Sequence, residues 1–348
     1  MIPRSRYNRN KKGPLRLPHG TSPLLDLLFF VLLGIFLLCT THSTKAESPP
    51  DKLRVVTTTG MITDVVHQVA GDRVSLNGLI GAGVDPHLFK ATRSDIATLS
   101  SSDIIFFNGL LLEGKLTDAL KRVADAGKAV HAVTELLEPS SLRELPGFPG
   151  HYDPHVWMNP QAWMQAVEVI EAKLSSRDPG GSPLYREAAD RYKQLLKDLD
   201  QYAERVLQTV PSGSRVLVTA HDAFEYFGTR YGYAVRGIQG LSTDSEAGVQ
   251  DIERLVAEIV DRKIKAVFVE STVPAKSVTA LIEGAQSRGH SVTIGGELFS
   301  DAMGVPGSYE GTYVGMIDHN VTTIARALGG NAPLRGMQGK LQSAAGSS

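Results

Sequence analysis

Apolar and polar positions follow two rhythms along this chain, and the rhythms trade places in a regular order. Short apolar runs read as strands, and stretches whose apolar residues recur every three to four positions read as helices. LRVVTTT (53–59) predicts a strand, and MITDVVHQVAG (61–71) predicts a helix that stops on glycine. RVSLNGLI (73–80) predicts a strand, SDIATLSSS (94–102) a helix and DIIFFNG (103–109) a strand. LTDALKRVADAG (116–127) predicts a helix and AVHAVT (129–134) another strand. Strands alternating with helices at this spacing predict a parallel sheet covered on both faces.

A Pro/Gly-rich loop at 135–150 ends that series, and PQAWMQAVEVIEAKLSS (160–176) returns to helical periodicity. After the break RDPGGSP (177–183), residues 182–210 run as one helical pattern, with Pro183 placed for a first turn. Such a helix reaches roughly 40 Å at 1.5 Å per residue, enough to run along two lobes and join them. The second half repeats the logic: strand 214–221, helix 222–232, helix 249–263, strand 264–270, helix 274–289, strand 291–297 and closing helix 313–328. The expected fold is therefore α/β, with two lobes, each a parallel sheet flanked by helices, joined by one long rigid helix. The lobes span 51–181 and 211–330, the linking helix 182–210, and the small polar residues 331–348 read as a disordered tail.

Length agrees, since 348 residues fit two lobes that each bury a core. Charge is balanced, 36 Lys+Arg against 37 Asp+Glu, so nothing electrostatic points to nucleic acid as a partner. The start of the chain is different. Arg4, Arg6, Arg9, Lys11, Lys12 and Arg16 precede an apolar run, Leu27–Leu38, which is shorter than the roughly 20 residues a membrane span needs. Basic segment, short apolar run and small residues at Thr44-Lys45-Ala46 form the layout of an export signal, 1–46, cut after Ala46. An uncleaved membrane anchor is the alternative. Lipidation of Cys39 is a third reading, weakened by the large Leu38 before it. Cys39 is the only cysteine, so a chain cut after Ala46 has no disulfide and no thiolate metal site.

The candidate chemistry lies where the predicted strands end. Asp-Pro-His occurs twice, at 85–87 and 153–155. Proline fixes its own backbone angle and holds its predecessor extended, so each histidine leaves a stiff corner. His221 closes the strand 214–221, and Asp301 lies just past the strand 291–297. All four sit at ends of parallel strands, where open α/β sheets carry their crevices, and two come from each half. Taken singly, a histidine near a strand end is more often a satisfied polar group than a ligand. His67, His131, His290 and His319 are read that way, and His151 as a surface loop residue with a supporting or capture role as its alternative.

VDPHLFKATRSDIATLSSSDIIFFNGLLLE, HYDPHVWMNP, VTAHDAFEYFGTRYG, GLSTDSEAGVQDI, KAVFVESTVP and IGGELFSDAMG occur here in that order. Together they resemble the metal-specific solute-binding proteins of ABC importers, the manganese/zinc class (cluster A-I, family 9), over about residues 53–328. The resemblance implies two lobes on a rigid helix with one divalent ion between them, held by His87, His155, His221 and Asp301. It implies an exported, periplasmic monomer that delivers its ion to a membrane permease and its ATPase, with limited lobe motion.

Three imidazoles and a carboxylate suit borderline divalent metals and disfavour Ca²⁺ and Mg²⁺. One Asp301 oxygen would make a four-coordinate site suited to Zn²⁺, and two would raise the count toward Mn²⁺ or Fe²⁺. ATRSD, TDSEAG and GGELFSDAMG look like the manganese branch, and the His-rich loop of many zinc importers is missing. His221 stands where many manganese binders carry Glu, which retains zinc as the second reading. The rival class is a metal-dependent hydrolase with Glu270 or Glu297 as base, although supporting roles suit both better, and HExxH, GxSxG and P-loop patterns are all missing. A surface adhesin is a third reading with no residues of its own to argue for it.

Overall fold

Val55 and Val56 are neighbours on the first strand, and both are buried, in two different apolar clusters. Successive strand residues point to opposite faces, so this sheet is covered on both sides. The computed structural model describes residues 52–134 and 137–342. Its first sheet holds β1 (Leu53–Thr57), β2 (Val74–Gly78), β3 (Ile104–Phe107) and β4 (Ala129–Ala132), all parallel in the order β2-β1-β3-β4. Helix α1 (Gly60–Ala70) buries Met61, Ile62, Val65 and Val66 in the cluster that holds Val55. Helices α2 (Arg93–Ser101) and α3 (Thr117–Asp125) put Leu99, Leu120 and Val123 with Val56 on the other face.

A short antiparallel hairpin, β5 (Glu144–Leu145) and β6 (Phe148–Tyr152), follows within the stretch that reads as loop. Helix α4 (Pro160–Arg177) starts where Asn159 Oδ1 accepts the Gln161 N–H at 3.0 Å, with Pro160 in the first turn. Helix α5 (Ser182–Leu207) is the long connector, 26 residues or about 39 Å. Tyr185, Ala189, Tyr192, Leu196, Leu199 and Ala203 form its buried stripe, at the three-to-four-residue spacing of one helix face.

The second lobe pairs β7 (Val216–His221) with β8 (Ala234–Gln239), and β9 (Ala266–Glu270) with β10 (Thr293–Leu298), both in parallel, and β7 runs beside β9. Helices α6 (Glu225–Tyr231), α7 (Val249–Asp261), α8 (Lys276–Ser287) and α9 (Tyr313–Ala327) complete it. One apolar cluster runs from Val55 of the first lobe through Leu196 of α5 to Phe268 of the second.

Two expectations change. Strand β8 does not read as a strand because Arg236 and Gly237 interrupt its apolar run. Gly237 is required by close approach, since a Cβ there would lie 2.6 Å from the Asp222 backbone nitrogen. Residues 331–342, expected to be disordered, are placed: Met337 N donates to Asp318 Oδ2 at 2.8 Å, and Leu341 is buried. These attachments, with the Asn331 N–H bonded to Thr209 Oγ1 at 2.7 Å, hold a segment whose composition carries no sign of them. The expected leader, 1–46, with Cys39, lies outside the described residues. Among the described residues, no helix is long and apolar enough to cross a membrane.

Candidate metal centre

Both Asp-Pro-His triplets fold alike. Asp85 Oδ1 accepts the His87 backbone N–H at 2.8 Å, and Asp153 Oδ1 accepts the His155 N–H at 3.0 Å. The proline sets each corner and the aspartate closes it as a turn. Asp153 Oδ1 also accepts from His155 Nδ1 at 2.8 Å. That bond assigns the ring proton to Nδ1 and leaves the Nε2 lone pair for the site.

His221 is the last residue of β7. Its backbone N–H donates to Glu270 Oε1 at 2.9 Å, and its Nδ1 donates to Glu270 Oε2. Glu270 ends the adjacent strand β9, so two strand tips fix this ring and aim its Nε2 outward. Asp301 follows β10 by three residues. Its approach is fixed from both lobes: Asn320 exchanges two hydrogen bonds with the Phe299 backbone, at 2.7 and 2.9 Å. Trp157 Nε1 donates to the Ser300 carbonyl at 2.9 Å.

The four side chains meet. Asp301 Oδ2 lies 3.2 Å from His221 Nε2 and 3.5 Å from His87 Nε2, and Asp301 Oδ1 lies 3.4 Å from His155 Nε2. One nitrogen or oxygen from each residue falls within 4.8 Å of the other three. No other such His/Cys/Asp/Glu group is found among the described residues. His155 and His221 are 0% exposed, Asp301 1% and His87 6%.

Neither Asp301 oxygen has a hydrogen-bond partner, and His221 Nε2, although near, is not aligned to donate. An unsatisfied carboxylate in a protein interior is costly unless a cation compensates it. Burial works against the charge of Asp301, yet the surrounding imidazoles, His221 foremost, outweigh it and hold the carboxyl below its usual range. Burial pushes His87 down to about 4, a neutral donor at physiological pH. Burial also opposes a charge on His221, but Glu270 and Asp301 on either side raise it well above the ordinary histidine value. The centre is built to attract positive charge, and its donor set suits a borderline divalent ion.

His87, His221 and Asp301 each follow or end a parallel strand, as expected, but His155 does not. That residue follows the antiparallel strand β6 rather than a parallel strand end. His290 and His319 bond backbone carbonyls, at 2.6 Å to Ile264 and 2.9 Å to Glu297. Glu297 is exposed, whereas Glu270 holds His221, and His151 lies with His87 on a cavity wall outside the four-residue group. What the sequence reading missed is Asp85 and Asp153. The signal was an aspartate two positions before each histidine.

Residues 55–327 match the family described as zinc-uptake complex component A, periplasmic. The chain is 45% identical over 305 residues to the manganese-binding lipoprotein MntA of Bacillus subtilis, covering 87% of this chain and 98% of that protein. It is likewise 45% identical over 290 residues to the zinc-binding protein TroA of Treponema pallidum, covering 83% and 93%. The solved structure of periplasmic zinc-binding TroA superimposes with a TM-score of 0.77 at 46% identity, covering 80% of this chain and 99% of that one.

Proposed function

The chain belongs to the periplasmic zinc-uptake component A family, and from that premise we propose that it is the substrate-binding component of an ABC importer for a divalent transition metal. His87, His155, His221 and Asp301 are the ligands in this reading, and the ion is cargo. The observation that carries it is the buried Asp301 carboxylate, unpartnered on both oxygens among three imidazoles. The donor set needs no nucleophile and no base. Glu270, a base in the rival hydrolase reading, has both oxygens engaged by His221.

Mn²⁺ is the cargo we place first, with Zn²⁺ second and Fe²⁺ third. Both Asp301 oxygens face imidazole nitrogens, which favours two-oxygen binding and a count above the four of tetrahedral zinc. Relatives named for manganese and for zinc stand at equal identity, so the names do not decide between them. In solution Zn²⁺ binds more tightly whichever ion the cell loads.

The protein acts outside the cytoplasm as a monomer, after loss of a leader ending near Ala46, and docks on a permease with its ATPase. Its lobes, 51–181 and 211–330, turn little about the connector 182–210. The relatives' designation as lipoproteins makes the mass of the mature N-terminus worth measuring, to separate a cut after Ala46 from a lipid on Cys39.

The test is metal analysis of protein purified from its native compartment, paired with competition titration of Mn²⁺ against Zn²⁺. One bound transition ion, lost in His155→Ala, is the expected result. Protein that carries no metal and binds neither ion overturns the reading.

A further inference from the structure

Asp85 faces two ways. Its Oδ1 holds the His87 backbone N–H at 2.8 Å, while its Oδ2 accepts from Thr243 Oγ1, on the β8–α7 loop of the other lobe. Next to it, Asp244 Oδ1 pairs with Lys115 Nζ at 2.6 Å, again across the lobes. Leu241 and Ser242, just before, help line a cavity of about 180 Å³ whose lining includes His87, Leu110, Leu111 and Tyr152. His87 is the most exposed of the four ligands, so the cavity beside it is the short way in.

The walls of that cavity differ in stiffness. Leu110 and Leu111 hold left-handed backbone, φ 53° and 66°, a conformation that persists only where the surroundings impose it. The buried Glu113 carboxylate imposes it here, accepting the Asn108 and Gly109 N–H groups at 2.6 and 3.2 Å and the Thr58 hydroxyl at 2.7 Å. Leu241 and Ser242 line the cavity from the second lobe, in a loop whose residues Ser242, Asp244, Ser245 and Glu246 are exposed. The movable wall is the loop that carries Thr243.

We propose that the Thr243–Asp85 hydrogen bond is a latch that gates entry and exit of the cargo ion, with Lys115–Asp244 as its outer, weaker fastening. The latch rests on the metal-carrier reading. Broken, it frees the wall beside His87, while Asp85 Oδ1 keeps the turn that aims the ring. Thr243 and Asp85 are positioning residues, and the mark of a gate is that both rate constants move while affinity does not.

The experiment is stopped-flow loading with Mn²⁺ and release into excess EDTA, followed by tryptophan fluorescence, since the Trp157 ring packs 5.3 Å from that of His155. Thr243→Val should raise the loading and release rates together by about tenfold, the equivalent of one hydrogen bond, and leave Kd within about threefold. Thr243→Ser, which keeps the hydroxyl, should retain wild-type rates. Lys115→Ala should accelerate both by about twofold at low salt and less at high salt, as an exposed pair does. It serves as the test if Thr243→Val fails to fold. Rates unchanged in both variants, or faster release with Kd weakened in step, overturn the latch while leaving the carrier reading intact. Wild-type protein that binds neither Mn²⁺ nor Zn²⁺ overturns both.

Discussion

Glu270 fixes His221 at two points, one on the backbone and one on the ring. Replacing it with glutamine keeps the shape but sets an amide N–H, or a single carbonyl, against donors that need two acceptors. The ring then loses its orientation and part of its basicity. Glu270→Gln is expected to lower metal affinity about 10–100-fold by competition titration, with Asp153→Asn similar through His155. His290→Ala, whose ring bonds the Ile264 carbonyl at the opposite end of β9 from Glu270, should leave affinity unchanged. At this scale the four clustered residues were legible and their supports only half so. Asp85 and Asp153 act within their own turns, two residues away, and could have been read. Glu270 reads as a supporting residue from its place at a strand end, but its partner His221 lies 49 residues away, across a strand pairing that no local pattern specifies.

Helix α5 is where local sequence and tertiary contact agree. Pro183, the unbroken stripe and the length predict it, and polar anchors at Tyr185 and Tyr192 then place it. Asp64 of α1 accepts the Tyr192 hydroxyl at 2.7 Å and the Tyr313 backbone N–H at 3.2 Å, tying α1, α5 and α9 together. Burial raises the Asp64 carboxyl above its ordinary range, so it depends on those donors. Tyr192→Phe should therefore cost about 1–3 kcal/mol in urea unfolding. At the start of α5, hydrogen bonds from Arg73 hold Asp178 down to about 2, and Tyr185 adds its hydroxyl at 2.6 Å. A carboxylate depressed in the folded state adds stability above its unfolded pKa and loses it as pH falls through the folded value. Asp178→Asn should thus be less stable than wild type above pH ~4, with the gap closing toward pH ~2. Thermal unfolding across that window checks it. Strand β8 and the β5–β6 hairpin escaped the reading for the opposite reason. Their sequences, AVRGIQ and FPGHY, lack a continuous apolar run, and it is the partner strand that makes them strands.

Of the apolar clusters in the described residues, one spans both lobes and the connector, and this sets how the molecule can respond to its ion. Val55, Leu196 and Phe268, from the first lobe, the connector and the second lobe, belong to the same buried cluster, and Trp163 stacks on Tyr313 across it at 5.9 Å. Opening the lobes widely would bare several such side chains, each worth about 1.5–3 kcal/mol when fully buried. Releasing the loop 240–248 costs about one hydrogen bond plus an exposed ion pair, near 1–2 kcal/mol. The loop motion is the cheaper of the two. Metal should accordingly leave the radius of gyration in solution scattering unchanged, and it should slow hydrogen exchange mainly in 81–87 and 240–248. A clear contraction on adding Mn²⁺ would show that the connector yields before the loop does. Because the ion binds a site assembled only in the folded chain, it should also raise global stability, by about 2.7 kcal/mol at a free concentration 100 times Kd. That gain should vanish in Asp301→Asn, whose amide would face the same imidazoles without the charge that balances a cation.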